Sequence, residues 1–369
     1  MTNSTMFNPF MAMTPPTPSM FMPTAEGFFE RMAAAPRMME VAKRVKVGAT
    51  PHDVIYTEDK LRVFHYHSDT PKKYATPLVL CFALVNRPYI LDLLPHKSVV
   101  QQFLKAGFDV YLIDWGTPEQ NDQHLTIEHY VCRYMHNVMT HVAEFSGQEQ
   151  VSLLGYCMGG TFSAMYTSLH QEMVKNLMLM AAPVDWSDRE ALLIRWTDPK
   201  YYDVDGIIDA YGNAPTHVLQ GAFALLKPVA NLMEKYIGFY ERMNDEKFIE
   251  EFTAMETWVN DNIPVAGETF RQFVKDCFQK NLLPQGKMKL KAKRIDLSNI
   301  TCPVLNLMAS NDHLVTCGQS APFNDLVSSK DRRAITFRAG HIGLSVSSRA
   351  HKELWPTVCD WLGERSEKL

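Results

Sequence analysis

Apolar positions along this chain change their period repeatedly, and each change marks a structural element. Residues 54–66 carry β-rich runs, residues 78–84 form an unbroken apolar stretch of buried-strand length, and residues 98–106 take up helical spacing before a second apolar run at 110–115. Between residues 126 and 145, Ile127, Val131, Tyr134, Val138 and Val142 recur on one helical face, and Gly147 supplies a stop signal. A strand at 151–156, a helix at 158–170 and a strand at 174–184 continue the alternation. It resumes with strands at 303–308 and 334–337 and closes on a helix through Trp361. Strands alternating with helices predict an α/β fold, a mostly parallel sheet with helices on both faces.

The alternation lapses between about 186 and 296, where Trp186, Trp196, Tyr201, Tyr202, Tyr211, Phe239, Tyr240 and Trp258 crowd a helical pattern. This segment reads as a largely helical cap, or lid, inserted into the sheet domain. The expected organisation is therefore a core in two parts, 48–185 and 297–369, separated by the cap at 186–296. Residues 1–47 stand apart. The first twenty-five are rich in Met and Pro, a density of Pro that forbids a continuous helix, and are expected to be loose. From 27 to 47 an apolar stripe (Phe28, Phe29, Met32, Met38, Met39, Val41, Ala42, Val45) beside basic residues, interrupted by Pro36, predicts an amphipathic helix packed on the core; a sticky surface for a partner or a hydrophobic particle is the rival reading.

Composition changes this picture little. With 369 residues the chain can bury a large core, and its net charge of −4 gives no basic field to suggest nucleic acid. The seven cysteines are odd in number, scattered and without CxxC spacing, which favours neither a disulfide framework nor a zinc site; a reducing cytoplasm and no metal are expected. No apolar run reaches the length of a membrane span, and the N-terminus lacks the basic-then-apolar layout of a signal peptide.

The chemistry is concentrated in Gly155-Tyr156-Cys157-Met158-Gly159-Gly160, which directly follows the apolar run Val151-Ser152-Leu153-Leu154 and opens the next helix. This is a nucleophile elbow with cysteine where most carry serine. Small neighbours let strand and helix approach closely, so Cys157 should stand proud of the sheet at a helix N-terminus, whose free N–H groups and partial positive charge favour a thiolate. Such a nucleophile needs a base and a group to orient the base, following in the chain order nucleophile, acid, His. Asp312 stands just past the strand at 303–308 and His341 just past the strand at 334–337, flanked by Gly340 and Gly343. His313, His65 and His67 are the rivals for the base. His313 adjoins the proposed acid too closely, and the other two precede the first core strand. For the oxyanion hole, Met158 supplies the backbone N–H after the nucleophile, and Val85, in the loop after the strand at 78–84, supplies the second. Residues 287–294 alternate charged and mostly apolar side chains, which predicts a half-buried strand with a solvated face.

Five separated motifs then agree in order and spacing with one family. They are the elbow itself, Leu84-Val85-Asn86-Arg87-Pro88, Tyr111-Leu112-Ile113-Asp114-Trp115-Gly116, Gly267-Glu268-Thr269-Phe270-Arg271-Gln272-Phe273 and Gly340-His341-Ile342-Gly343. From about Gly48 to the C-terminus the chain resembles the catalytic subunit of the two-component polyhydroxyalkanoate synthases, class III above all. The resemblance implies an α/β-hydrolase fold with a cap, Cys157, Asp312 and His341 as the catalytic set, and polymerisation of (R)-3-hydroxyacyl-CoA, typically 3-hydroxybutyryl-CoA, with release of CoA. It also implies a homodimeric tendency, a second synthase subunit and a place at the surface of polymer granules in the cytoplasm. No resident cofactor is expected, because coenzyme A arrives on the substrate and leaves. Two other functions fit the same residues less fully: a cysteine-dependent esterase or lactonase, in which water replaces the hydroxyacid acceptor, and a non-catalytic granule scaffold, which has no use for an ordered triad.

Overall fold

The computed structural model describes residues 25–369 of the chain, so the stretch expected to be loose lies, apart from Ala25, outside the described residues. Eight strands form one sheet: β1 (His52–Glu58), β2 (Leu61–Tyr66), β3 (Leu78–Cys81), β4 (Val110–Asp114), β5 (Val151–Tyr156), β6 (Val174–Met180), β7 (Val304–Ala309) and β8 (Arg332–Phe337). Their order across the sheet is β1-β2-β4-β3-β5-β6-β7-β8. The β1–β2 and β2–β4 pairs are antiparallel; every pair from β4 to β8 is parallel. All six residues of β5 and all four of β3 are buried, which is why these segments read as unbroken apolar runs. The edge strand β8 is largely exposed and opens on Arg332 and Arg333, charges that discourage pairing with another sheet edge.

Strand and helix boundaries follow the expected periodicity, with instructive exceptions. The strand expected at 78–84 ends at Cys81, because the chain leaves the sheet to build the loop that passes the elbow. Residues 287–294 are not one strand. Burial alternates as expected from Met288 to Leu290, but Lys291 has a φ of 55° and turns the chain, so that Lys289–Leu290 pairs antiparallel with Lys293–Arg294. Pro36 does not interrupt its helix, which runs through it as Ala25–Arg44. Proline fits helical φ and removes one hydrogen bond, which need not end a helix of 20 residues.

By its contacts the chain separates into two compact units. Among the described residues, one joins 25–45 to Tyr236–Thr253 and includes an ion pair between Arg37 and Glu246. The other comprises Lys46–Lys235 and Ala254–Leu369 and holds the whole sheet. Between β6 and β7 the chain is almost wholly helical, from Leu192–Trp196 to Phe273–Gln279, although β6 and β7 are direct neighbours in the sheet. The insertion therefore leaves the sheet and returns to an adjacent position. Within the larger unit it is anchored by the Gly267-to-Phe273 motif. Thr269 Oγ1 donates to the Leu125 carbonyl at 2.7 Å, and the Arg271 guanidinium meets three carboxylates, those of Asp205, Asp209 and Glu268.

The elbow depends on close approach of backbone. A Cβ added at Gly159 would fall inside van der Waals contact with the carbonyl oxygens of both Cys81 and Phe82, on β3 and the residue after it. Backbone cannot yield as a flexible side chain can. Gly159→Ala should lower the unfolding free energy by about 2–4 kcal/mol, read from the midpoint of urea unfolding. An unchanged midpoint would show that strand and helix are not locked together in this way.

Candidate active site

Cys157 sits between β5 and the Met158–Leu169 helix with φ 55° and ψ −126°, a backbone conformation that non-glycine residues rarely adopt. It persists because the surroundings fix it. The Cys157 N–H donates to the Met180 carbonyl at 2.9 Å, and the Cys157 carbonyl accepts from the Gly160 N–H at 2.9 Å, so the apex residue is tied to both β6 and its own helix. Its side chain is partly exposed, whereas Met158 and the rest of the helix through Ser168 are buried. Met158 is the first helical residue, so its N–H has no partner one turn back and stands at the positive end of the helix dipole.

The expected acid and base meet here. Asp312 follows β7 and its side chain is fully buried; Oδ1 accepts the N–H groups of Leu314 at 2.8 Å and Val315 at 2.9 Å, which leaves Oδ2 to accept from His341 Nδ1 at 2.6 Å. With Nδ1 engaged, the second ring nitrogen is the one available to Cys157, whose sulfur lies near enough to act on the imidazole electrostatically. The His341 side chain is 11% exposed, enough to be reached from one side only. Burial pushes its imidazole pKa down, but the Asp312 carboxylate and the Cys157 sulfur push it up and prevail, to about 10. The rivals lie elsewhere. His65 pairs with Asp109 and His67 with Asp53, and His65 sits opposite Tyr111 near the start of β4, at the far end of the sheet from the elbow. His313 is exposed.

Two features of the site carried no signal in the sequence pattern. The hydroxyl of Tyr156, the residue before the nucleophile, donates to the His341 carbonyl at 3.0 Å, and its ring lies 5.2 Å from the imidazole. A fully buried tyrosine on a strand looks like core until the partner of its hydroxyl is known. The loop bearing Val85 is also contacted by Trp258 and Asp261, more than 170 residues away, as the separations of 171 and 174 show. Val85 itself is partly exposed in the loop after β3, beside the elbow strand.

A strained cysteine at the C-terminal end of β5, with Asp312 after β7 and His341 after β8, is the arrangement of an α/β-hydrolase-fold protein; residues 76–347 match the alpha/beta hydrolase fold family. Residues 25–103 match the family described as Poly-beta-hydroxybutyrate polymerase (PhaC) N-terminus. The chain is 49% identical over 338 residues to the poly(3-hydroxyalkanoate) polymerase subunit PhaC of Haloferax mediterranei, covering 92% of this chain and 69% of that one. It is 40% identical over 326 residues to the protein of the same name from Allochromatium vinosum, covering 88% and 91%. A solved carboxylesterase structure from Nitrososphaera gargenis shares the fold, with a TM-score of 0.50 at 15% identity over 85% of this chain and 98% of that one. The chain belongs to the PhaC family of poly(3-hydroxyalkanoate) polymerases.

The raised imidazole has a consequence for stability. An unfolded His titrates near ~6.5, so between about 6.5 and the folded value of about 10 the native chain keeps a proton that the unfolded chain has lost. The stabilisation is complete below about 6.5 and is lost as pH rises through the folded value. Asp312→Asn removes the main cause. The decline in unfolding free energy from about pH 7 to about pH 10 should be shallower in the variant than in the wild type, measured by urea unfolding at both pH values. Equal slopes would mean that the carboxylate does not hold the imidazole proton.

Proposed function

We propose that this chain is the catalytic subunit of a two-component polyhydroxyalkanoate synthase, an acyltransferase that polymerises (R)-3-hydroxyacyl-CoA, typically 3-hydroxybutyryl-CoA, through an acyl-cysteine intermediate. One observation carries the reading: cysteine occupies the apex of the strained elbow, beside an imidazole that a buried carboxylate holds in place. Membership of the polymerase family supports the choice of substrate.

With the Cys157 proton already held on His341, the sulfur attacks the thioester carbonyl of the hydroxyacyl-CoA. The oxyanion is held by the backbone N–H groups of Met158 and Val85. As the bond to the CoA sulfur breaks, His341 returns the proton to the departing thiol. One thioester has replaced another, so little free energy is lost and the acyl group remains activated. The 3-hydroxyl of another unit or of a growing chain then gives its proton to His341 while its oxygen attacks the acyl-cysteine, forming an oxygen ester and regenerating Cys157. Asp312 orients the imidazole and stabilises its charged form throughout. The step requires that water be kept from the thioester, and the aromatic insertion between β6 and β7 is suited to act as the lid that does so. The chemistry uses no resident cofactor, since coenzyme A enters and leaves with the substrate.

A second synthase subunit, a homodimer and attachment to the polymer granule complete the proposal. Granule attachment is supported by Leu225, Val229 and Met233 of the insertion, apolar groups that are 56%, 57% and 58% exposed. Among the described residues no helix is long and apolar enough to cross a membrane.

Incubation with 3-hydroxybutyryl-CoA distinguishes transfer to a hydroxyl from transfer to water. Thiol release with growing turbidity is expected, and thiol release matched by free hydroxyacid would establish hydrolysis instead. Cys157→Ala should abolish thiol release. Asp312→Asn should retain part of the first thiol release while elongation slows on the order of 10²–10⁴-fold. Equal loss of both steps in the two variants would contradict this division of roles.

A further inference from the structure

The loop after β3 is gripped by the returning end of the helical insertion. The indole N–H of Trp258, a side chain only 5% exposed, donates to the Arg87 carbonyl at 2.8 Å. Arg87 Nε donates to Asp261 Oδ1 at 3.3 Å, and the Tyr89 hydroxyl donates to Asp261 Oδ2 at 3.1 Å. Three bonds from one short segment thus fix the backbone of Arg87, its guanidinium and the side chain two residues on. Between Val85 and Arg87 stands Asn86 with φ 70°, a left-handed bend that asparagine tolerates, and its side-chain oxygen is buried with no hydrogen-bond partner. The bonds on either side of the bend set its direction. On the other side the loop continues to Ile90, whose carbonyl accepts from Ser345 at 2.8 Å, four residues past His341. The loop is therefore suspended between the insertion and the segment that carries the base.

We propose that Trp258 and Asp261 are positioning residues for the oxyanion hole, which by fixing Arg87 set the direction of the Val85 N–H. This deepens the proposed function and rests on it. A backbone donor stabilises an oxyanion only when it lies 2.7–3.1 Å from where that oxygen will be, on the order of a hydrogen-bond length, and a misplacement of about 1 Å can cost about 100-fold. The same contacts make acylation of Cys157 depend on the seating of the insertion. A lid whose end is unseated would leave the nucleophile and base in place and the oxyanion unsupported.

Two variants test it. Trp258→Phe keeps an aromatic ring, though a smaller one, and removes the N–H; Asp261→Ala truncates a side chain that is 44% exposed and removes the acceptor for Arg87 and Tyr89. Each is assayed for single-turnover thiol release from 3-hydroxybutyryl-CoA and for alkylation of Cys157 by iodoacetamide. Alkylation uses the same sulfur but displaces iodide at a saturated carbon and builds no oxyanion. Thiol release should slow about tenfold in each variant while alkylation stays within about twofold of the wild type, a split that general loosening of the fold cannot produce. Thiol release at the wild-type rate in both variants, or an equal fall of the two rates in both, overturns the inference. Wild-type protein that releases no thiol removes the proposed function and this inference together, whereas an active wild type with unaffected variants removes the inference alone.

Discussion

The backbone of one residue organises this protein. Cys157 holds φ 55° where L-residues rarely go, and the rest of the sheet domain is arranged so that it has no alternative. Gly159 and Gly155 let the following helix lie against β3 and β5 with no Cβ between them, and hydrogen bonds to Met180 and Gly160 hold the apex residue from both sides. A relaxed cysteine would turn back into the sheet and leave the imidazole without its partner. The strain is offset by burial of β3, β5, β6 and the elbow helix, which make up the middle of the core.

The second constraint is electrostatic. Asp312 is buried, yet its carboxylate accepts two backbone N–H groups and the imidazole, so the charge is not left unpaired. That arrangement makes a protonated His341 favourable; in the proposed mechanism the imidazole gives this proton to the departing CoA thiol and later accepts the one that the incoming hydroxyl loses. The proposed thioester exchange passes the acyl group between sulfurs with little change in free energy. The insertion holds the loop after β3 through the Trp258 indole N–H on the Arg87 carbonyl, and in the proposed mechanism it is also the cover under which an alcohol competes with water.

Much of this was legible in the residue pattern because the pattern and the physics coincide there. A strand buried on both faces must be continuously apolar, so β5 could be read to the residue, and a glycine pair after a cysteine has few uses other than a close strand-to-helix turn. The order of Cys157, Asp312 and His341 could be read because the topology places the ends of β5, β7 and β8 on one side of the sheet. What depends on contacts between distant segments could not be read. Nothing local distinguishes Tyr156 from a core aromatic or Trp258 from a cap aromatic; their meaning lies in the carbonyls of His341 and Arg87 that they reach. The turn at Lys291 was hidden for a different reason, since a lysine gives no warning of a left-handed conformation that glycine or asparagine would have announced. Pro36 misled in the other direction, because its ring removes a hydrogen bond without always ending a helix.

The central claim is that the sulfur at the elbow, and no other, accepts the acyl group. Rapid acid quenching of the protein during turnover of 3-hydroxybutyryl-CoA, followed by peptide mass spectrometry across all seven cysteines, addresses it directly. The account predicts hydroxybutyryl units, single or oligomeric, on the peptide containing Cys157 and on none of the others. Acyl groups on a different cysteine, or turnover with Cys157 unmodified at every time of quenching, would contradict it.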